Sequence, residues 1–240
     1  TGTSATGLNL LNAYYHMHTS YGLGFSIGKF ESPVGHETYN HMDNAQFTRS
    51  WGFNLAPFFS TGLDLHYGSD MWKVGLIVSN GAGRDTDTQD KNKTLGLIVD
   101  VNPMSNLGID LNYVTGTEGD NSTPANVFAV SVLDFSVDYM INEMFDVALN
   151  YISSSHEQKV SGSEAGTATS IAAYINANFG MFGLGLRYEQ FSFDASPATG
   201  MFYNNLSGTG LTAVGDDNSI SSITLAAKAE IDQNAQFLLE

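Results

Sequence analysis

Residues 95–115 contain two short runs in which side-chain character changes at every step. Leu95, Leu97, Val99 and Val101 alternate with Gly96, Ile98 and Asp100; beyond Asn102, Pro103, Met104, Ser105 and Asn106, Ile109, Leu111 and Tyr113 alternate with Gly108, Asp110 and Asn112. A period of two sends successive side chains to opposite faces of a strand. Pro and Asn favour the turn between the runs, and Pro cannot donate to a central ladder. The segment therefore reads as a hairpin with one aliphatic face and one face of glycine, aspartate and asparagine. Two folds can use such a ribbon. A soluble sandwich buries the apolar face; a transmembrane barrel turns it to lipid and lines a wet lumen with the polar one.

The rest of the chain repeats this pattern. Strands are predicted at 8–17, 21–29, 59–68, 71–79, 94–102, 107–115, 127–140, 145–153, 168–178, 183–193, 218–231 and 235–240. In them Leu63, Leu65 and Tyr67 oppose Asp64 and His66; Leu133, Phe135, Val137 and Tyr139 oppose Asp134, Ser136 and Asp138; Leu184, Leu186 and Tyr188 oppose Gly185, Arg187 and Glu189. The connections alternate as regularly. Short ones fall near 18–20, 69–70, 103–106, 141–144, 179–182 and 232–234, and long ones at 30–58, 80–93, 116–126, 154–167 and 194–217. Tight turns at one end and long polar loops at the other describe an outer-membrane barrel, whereas a Greek-key sandwich has no reason to keep that rhythm. Aromatics gather at the strand ends: Tyr21, Trp72, Tyr139, Phe145, Phe179 and Phe182 beside the short turns, and Tyr113, Tyr151, Tyr188 and Phe193 opposite, as two interfacial girdles would require.

The expected fold is thus all-β, an antiparallel up-and-down transmembrane β-barrel, with residues 1–240 forming one domain. Twelve strands are readable. Because the first runs into a short turn and the last leaves one, both ends of this stretch would lie at the outer surface. That suggests an interior portion of a longer barrel, with 16 strands as the preferred total and a closed barrel of 12 as the alternative. No run approaches the ~18–20 consecutive apolar residues of a spanning helix. The chain has no Cys, which excludes a disulfide scaffold and thiolate metal sites. Its formal charge of −16 argues against nucleic acid, which needs a basic footprint, and favours cations.

Residues 22–62 are the least generic. Gly22-Leu-Gly-Phe-Ser-Ile-Gly28-Lys29-Phe30-Glu31-Ser-Pro33-Val-Gly35 is followed by Asp43-Asn44-Ala-Gln-Phe-Thr48-Arg49-Ser50 and by Pro57-Phe-Phe-Ser-Thr61-Gly62. This resembles the OmpL-like β-barrel porin family (β-barrel porin-2), with its strand ending in Gly-Lys-Phe, its Pro and Gly soon after, its Asn-rich patch and its Pro-Phe…Thr-Gly lead into the next strand. Thr48-Arg49-Ser50 departs slightly from the family's Ser-Arg-Ser-like element. Val78-Ser79-Asn80-Gly81 with Asn92-Lys93-Thr94, and Leu186-Arg187-Tyr188-Glu189, resemble later stretches. The resemblance implies a bacterial outer-membrane porin with about three strands upstream and one downstream.

Parity assigns Asp64, His66, Lys73, Asp100, Asp110, Asp134, Asp138, Asp146, Arg187, Glu189, Lys228 and Glu230 to the pore lining, with Asn112 and Asn150. Carboxylates outnumber cations there, which predicts cation preference, unless Lys73, Arg187 and Lys228 each neutralise a neighbour. The 30–58 loop is long enough to be functional. It is either a surface loop or one folded into the lumen, where Lys29, Glu31, Asp43 and Arg49 would set the field of a constriction. Asp85, Asp87, Gln89 and Asp90 lack the Gly and distal Glu of a calcium loop, so no metal is expected. No Ser–His–Asp arrangement is identifiable around His156 and Glu157 or around His36, Glu37 and His41, so no enzyme and no cofactor are expected. The expected function is passive diffusion of small hydrophilic solutes and ions across the bacterial outer membrane. The alternative is a plugged barrel acting as scaffold or adhesin through its long loops. The partners are outer-membrane lipid and the permeant solutes. Small outward residues (Ala173, Ala177, Ala227, Ala229) would permit a homotrimer or simply meet lipid.

Overall fold

The structure is a computed structural model and describes residues 11–81, 92–119, 127–158, 166–193, 218–232 and 235–240. Twelve strands form one antiparallel meander in chain order. They are β1 (Ala13–His18), β2 (Leu23–Glu31), β3 (Phe59–Ser69), β4 (Trp72–Ser79), β5 (Thr94–Met104) and β6 (Leu107–Gly119). After them come β7 (Val127–Asn142), β8 (Phe145–Gln158), β9 (Gly166–Asn178), β10 (Phe182–Phe193), β11 (Asn218–Asp232) and β12 (Ala235–Leu239). Each predicted strand is present, and the 95–115 hairpin has its aliphatic partners in register, Leu97 with Tyr113 and Val99 with Leu111. Among the described residues β1 and β12 do not pair with each other, so the sheet is open between them.

The distribution of polarity decides between the two folds the hairpin allowed. Leu76 is 57% exposed and Ile223 75%, whereas Asp134 and Glu189 are 0% exposed. The apolar parity of nearly every strand faces outward, including Leu63, Leu65, Leu97, Leu111, Leu133, Ile171, Leu184 and Leu225. A soluble sandwich would have the reverse. Lipid offers such a surface no hydrogen bonds, so backbone groups must be satisfied by neighbouring strands, as the ladder does here.

The lower girdle is as expected, with Tyr21, Trp72, Tyr139, Phe179 and Phe182 exposed and Phe145 half-buried. Tyr113 and Tyr188 are exposed at the upper end, with Tyr151 half-buried. Phe193 departs from the expectation. It shares the parity of Glu189 and Phe191 on β10, so it points inward and is 6% exposed.

The inner face also changes character with height. In its outer half Val114, Phe128, Val130, Val132, Ile152, Ala168, Phe191 and Phe193 form a buried apolar cluster, packed with Val34, Leu55 and Ala56 of the long loop. Here the wall resembles the core of a soluble protein, and the loop covers it.

Candidate functional site

Residues 32–58, between β2 and β3, enter the barrel and lie against the inner wall of β6–β11. On the way down, Gly35 N donates to Asp134 Oδ2 at 2.9 Å. Asn112 Nδ2 donates to both Pro33 O (3.2 Å) and the same carboxylate (2.9 Å), and Asn150 Nδ2 holds its other oxygen at 2.7 Å. One residue on, His36 Nδ1 lies 3.1 Å from Asp138 Oδ1. At the lowest point Met42, Asp43, Asn44 and Ala45 share a cavity of about 220 Å³ with Asp146, Asn176 and Asn178, near the periplasm-side turns.

The ascending limb is held as firmly. Arg187 Nη1 donates to Glu37 Oε1 at 2.7 Å and to Thr48 O at 2.8 Å. Glu37 Oε2 accepts from Ser50 N and Oγ at 2.8 and 2.9 Å, so it ties the two limbs together. Glu240 accepts from Phe47 N and Thr48 N, and also from the Thr48 hydroxyl. Glu189 accepts from Trp51 N (2.9 Å), Gly52 N (2.8 Å) and Ser170 Oγ (2.7 Å). Gly52 and Leu55 bound a short 3₁₀ helix that packs on β8 and β9.

Two glycines permit this close approach. A Cβ on Gly52 would lie 2.9 Å from Ile152 Cγ2 and from Ser170 Cβ, and one on Gly185 would lie 2.7 Å from Gln46 Nε2. Gly52→Val is therefore expected to lift the ascending limb off the wall. Overpacking of this kind costs roughly 1–3 kcal/mol. The check is the mobility of a spin label on a single introduced Cys at Ala45 of this cysteine-free chain, which should rise in the variant. Unchanged mobility would mean that β8 and β9 yield instead.

Electrostatics reinforce the seat. Burial lowers the affinity of His36 for its proton, but the hydrogen bond and charge of Asp138, with the charges of Glu37 and Asp134, more than offset this, so its pKa is held above the ordinary 6.5. A raised pKa means the contribution is complete below pH 6.5 and fades as pH rises through the raised value. Since Asp138 is 46% exposed, the effect should be below about 1 kcal/mol. The undocked fraction of the loop, read from a spin label at Ala45, is expected to grow severalfold between acidic and alkaline pH, and His36→Gln should flatten that profile. Burial and the nearby Arg187 charge lower the pKa of Arg49, against Glu37 and Glu31.

The other residues expected in the lumen fall as follows. Asp64 pairs with His66 at 3.0 Å, Lys73 with Asp100, and Lys228 with Glu230 at 3.0 Å. Asp110 stands across from Asp100 and accepts from Ser136 Oγ at 3.3 Å. Asp146 accepts from Asn176 at 2.7 Å. Asp134, Arg187 and Glu189 face inward too, but they lie beneath the loop, at 0%, 3% and 0% exposure. Of the residues assigned to a constriction, Lys29 lies on the outward parity of β2 with Nζ over the Phe59 ring. Glu31 Oε1 accepts from Tyr39 N and Arg49 Nη2 donates to Tyr39 O, so both clasp one backbone unit. Asp43 accepts from Asn40 Nδ2 near the bottom of the loop. Asp85, Asp87 and Asp90 lie outside the described residues, and among the described residues no cluster of three metal-ligating side chains forms.

Sequence reasoning missed Glu37, Ser50 and Gly52 as anchors, and the buried pair Ser154 Oγ–His156 Nε2 at 2.9 Å. Only Gly52, a glycine beside Trp51 in a long loop, carried any signal of close packing. Among the described residues, the loop leaves a gap along β1–β5. There a cavity of about 430 Å³ borders His16, Asp64, His66, Lys73 and the base of the loop at Glu31 and Pro33.

A sequence profile for the family described as "Putative beta-barrel porin-2, OmpL-like" matches residues 1–240. Among solved structures, outer-membrane expressed OmpT of Vibrio cholerae superposes with a TM-score of 0.66 at 14% identity, over 94% of this chain and 67% of that one. Its loop L8 deletion mutant gives 0.63 at 13% identity (92% and 69%), and the in-vitro folded form 0.62 at 14% (94% and 66%). The chain thus spans about two thirds of these neighbours, and the likeness concerns the fold. No curated protein matches the sequence.

Proposed function

Because this chain belongs to the OmpL-like β-barrel porin-2 family, we propose that it is a passive channel of the bacterial outer membrane for small hydrophilic solutes and ions, narrowed by its own 32–58 loop. The observation that carries this reading is the one-sided seat of the loop. It is fastened to β6–β11 and leaves a polar cavity of about 430 Å³ along β1–β5. A loop that narrows a barrel must be held against one wall, since a freely moving segment would block at random.

Cation preference follows from the groups that border the uncovered cavity. Lys73 is matched by Asp100, while Asp64 and Glu31 face the cavity with no Lys or Arg partner among the ion pairs of the described residues. Asp134 and Glu189, buried under the loop, contribute to its anchorage more than to selectivity. The chemistry is that of a channel, without a cofactor. Of the two Ser–His pairs among the described residues, Ser154–His156 is 1% and 6% exposed, and His16 Nδ1–Ser26 Oγ, at 2.9 Å, borders the cavity.

The test is single-channel conductance of the folded, membrane-inserted protein under a KCl gradient. Steady conductance with a reversal potential favouring K⁺ is expected, and Asp64→Asn with Glu31→Gln should move that potential toward zero. Absence of conductance from inserted protein would overturn the channel reading and favour the plugged scaffold.

A further inference from the structure

Three buried side chains on the uncovered wall are out of character for a water-filled lumen. Phe30 of β2, Ile77 of β4 and Ile98 of β5 form an apolar cluster and are 7%, 4% and 2% exposed. All three have inward parity: Ile77 shares its face with Lys73, Gly75 and Ser79, and Ile98 with Gly96 and Asp100. All three also border the 430 Å³ cavity. The residues across the ladder are glycines, Gly96 opposite Ile77 and Gly75 opposite Ile98. A Cβ on Gly96 would stand 3.2 Å from Ile77 Cβ, and one on Gly75 would stand 3.5 Å from Ile98 Cβ. Larger residues would fill the dent between the isoleucines.

The rim of this patch is negative and aromatic. Asp64 lies directly across from Ile77 in the ladder, and Glu31 follows Phe30. The nearest ammonium, Lys73, is paired with Asp100. Tyr14 meets Phe30 edge-on with centroids 6.3 Å apart, and both border the cavity. The cavity is within the ~300–1,000 Å³ range of small-ligand sites, which combine an apolar lining with a few polar groups that fix orientation. Simple ions gain nothing from Phe30, Ile77 or Ile98. A solute that carries both an ammonium and an apolar group gains from both halves of the site.

We propose that this wall is a subsite for small amphipathic organic cations, alkyl- or arylalkylammonium ions, which seat the ammonium on Asp64 and the apolar group on Phe30, Ile77 and Ile98. The proposal rests on the channel reading and names its solute class.

The probe is benzylammonium, with 2-hydroxyethylammonium as the polar cation of equal charge. Each is titrated against the K⁺ current of the inserted protein, and each variant's block is scaled to its own K⁺ current. Benzylammonium should block at concentrations about tenfold lower than the polar cation, a preference corresponding to one 1.4 kcal/mol step. Ile98→Ser with Ile77→Ser should remove that preference, and Asp64→Asn should weaken block by both cations, which keeps the test sound if the double variant does not fold. Equal block by both cations, or a preference that persists in the serine variant, would overturn the subsite. If no K⁺ current is seen, the channel reading fails on its own. Calorimetric titration of benzylammonium into the refolded protein, wild type against Ile98→Ser, then decides the subsite: saturable binding lost in the variant supports it, and identical heats overturn it.

Discussion

Replacing Arg187 with Met should release the ascending limb of the loop and raise the mean single-channel conductance. Arg187 is 3% exposed, and its Nη1 lies 2.7 Å from a Glu37 carboxylate whose side chain is 4% exposed. Its guanidinium also donates to Thr48 O and Oγ1 and to Thr224 Oγ1. Without Arg187, Glu37 would keep only the Ser50 donors and lose its directly paired cation. Breaking a buried pair from one side costs about 3–5 kcal/mol, mostly because the remaining charge is uncompensated. The loop can avoid that cost by leaving the wall, so the loss appears as undocking. The double variant Arg187→Met with Glu37→Leu carries no stranded charge, and it should recover most of the docking because apolar replacement of both partners is often close to neutral. A spin label at the loop bottom and the conductance histogram would report both variants. Equal loosening in single and double variants would show that Thr48 and Thr224, not Glu37, carry the effect.

Glu189→Ala should expose the amides of Trp51 and Gly52 to exchange at least a hundredfold faster. The Glu189 carboxylate is fully buried and takes two backbone N–H donors and the Ser170 hydroxyl. Hydrogen bonds to a charged group contribute roughly 1.5–3 kcal/mol each. Losing two backbone bonds therefore amounts to more than two tenfold steps. Gln at this position would be only a partial substitute. It keeps one acceptor oxygen, but its amide nitrogen would meet a donor N–H. Hydrogen exchange followed by mass spectrometry on the 47–56 segment measures the change. Unchanged protection in Glu189→Ala would mean that the apolar seat of Leu55 and Val34 suffices to hold the limb.

These two residues show where sequence reading stopped. Leu186-Arg187-Tyr188-Glu189 announces a strand with Arg and Glu on one face, and that parity is what the structure has. Nothing in the four residues says that the two charges will hold a loop instead of facing an open lumen. Their partners are Glu37, Thr48, Trp51 and Gly52, which lie 137–150 positions away. The same limit applies to β7. Val127-Phe-Ala-Val-Ser-Val132 is apolar on nearly every residue, so period alone could not choose the face. Phe128, Val130 and Val132 take the inward parity of Asp134 farther along the strand, and Leu55 and Val34 of the loop cover them.

What the sequence determined alone is the local grammar: twelve strands, short and long connections in strict alternation, and one polar and one apolar face along most ribbons. These follow from a two-residue repeat and turn chemistry, which need no knowledge of distant residues. The tertiary structure decided which inward groups stay open to the lumen. That division depends on where residues 32–58 come to rest, through contacts between segments far apart in the chain. The carboxylates that read alike in sequence, Asp64 and Asp134, thereby part company. The first borders a cavity, and the second is sealed by Gly35, Asn112 and Asn150.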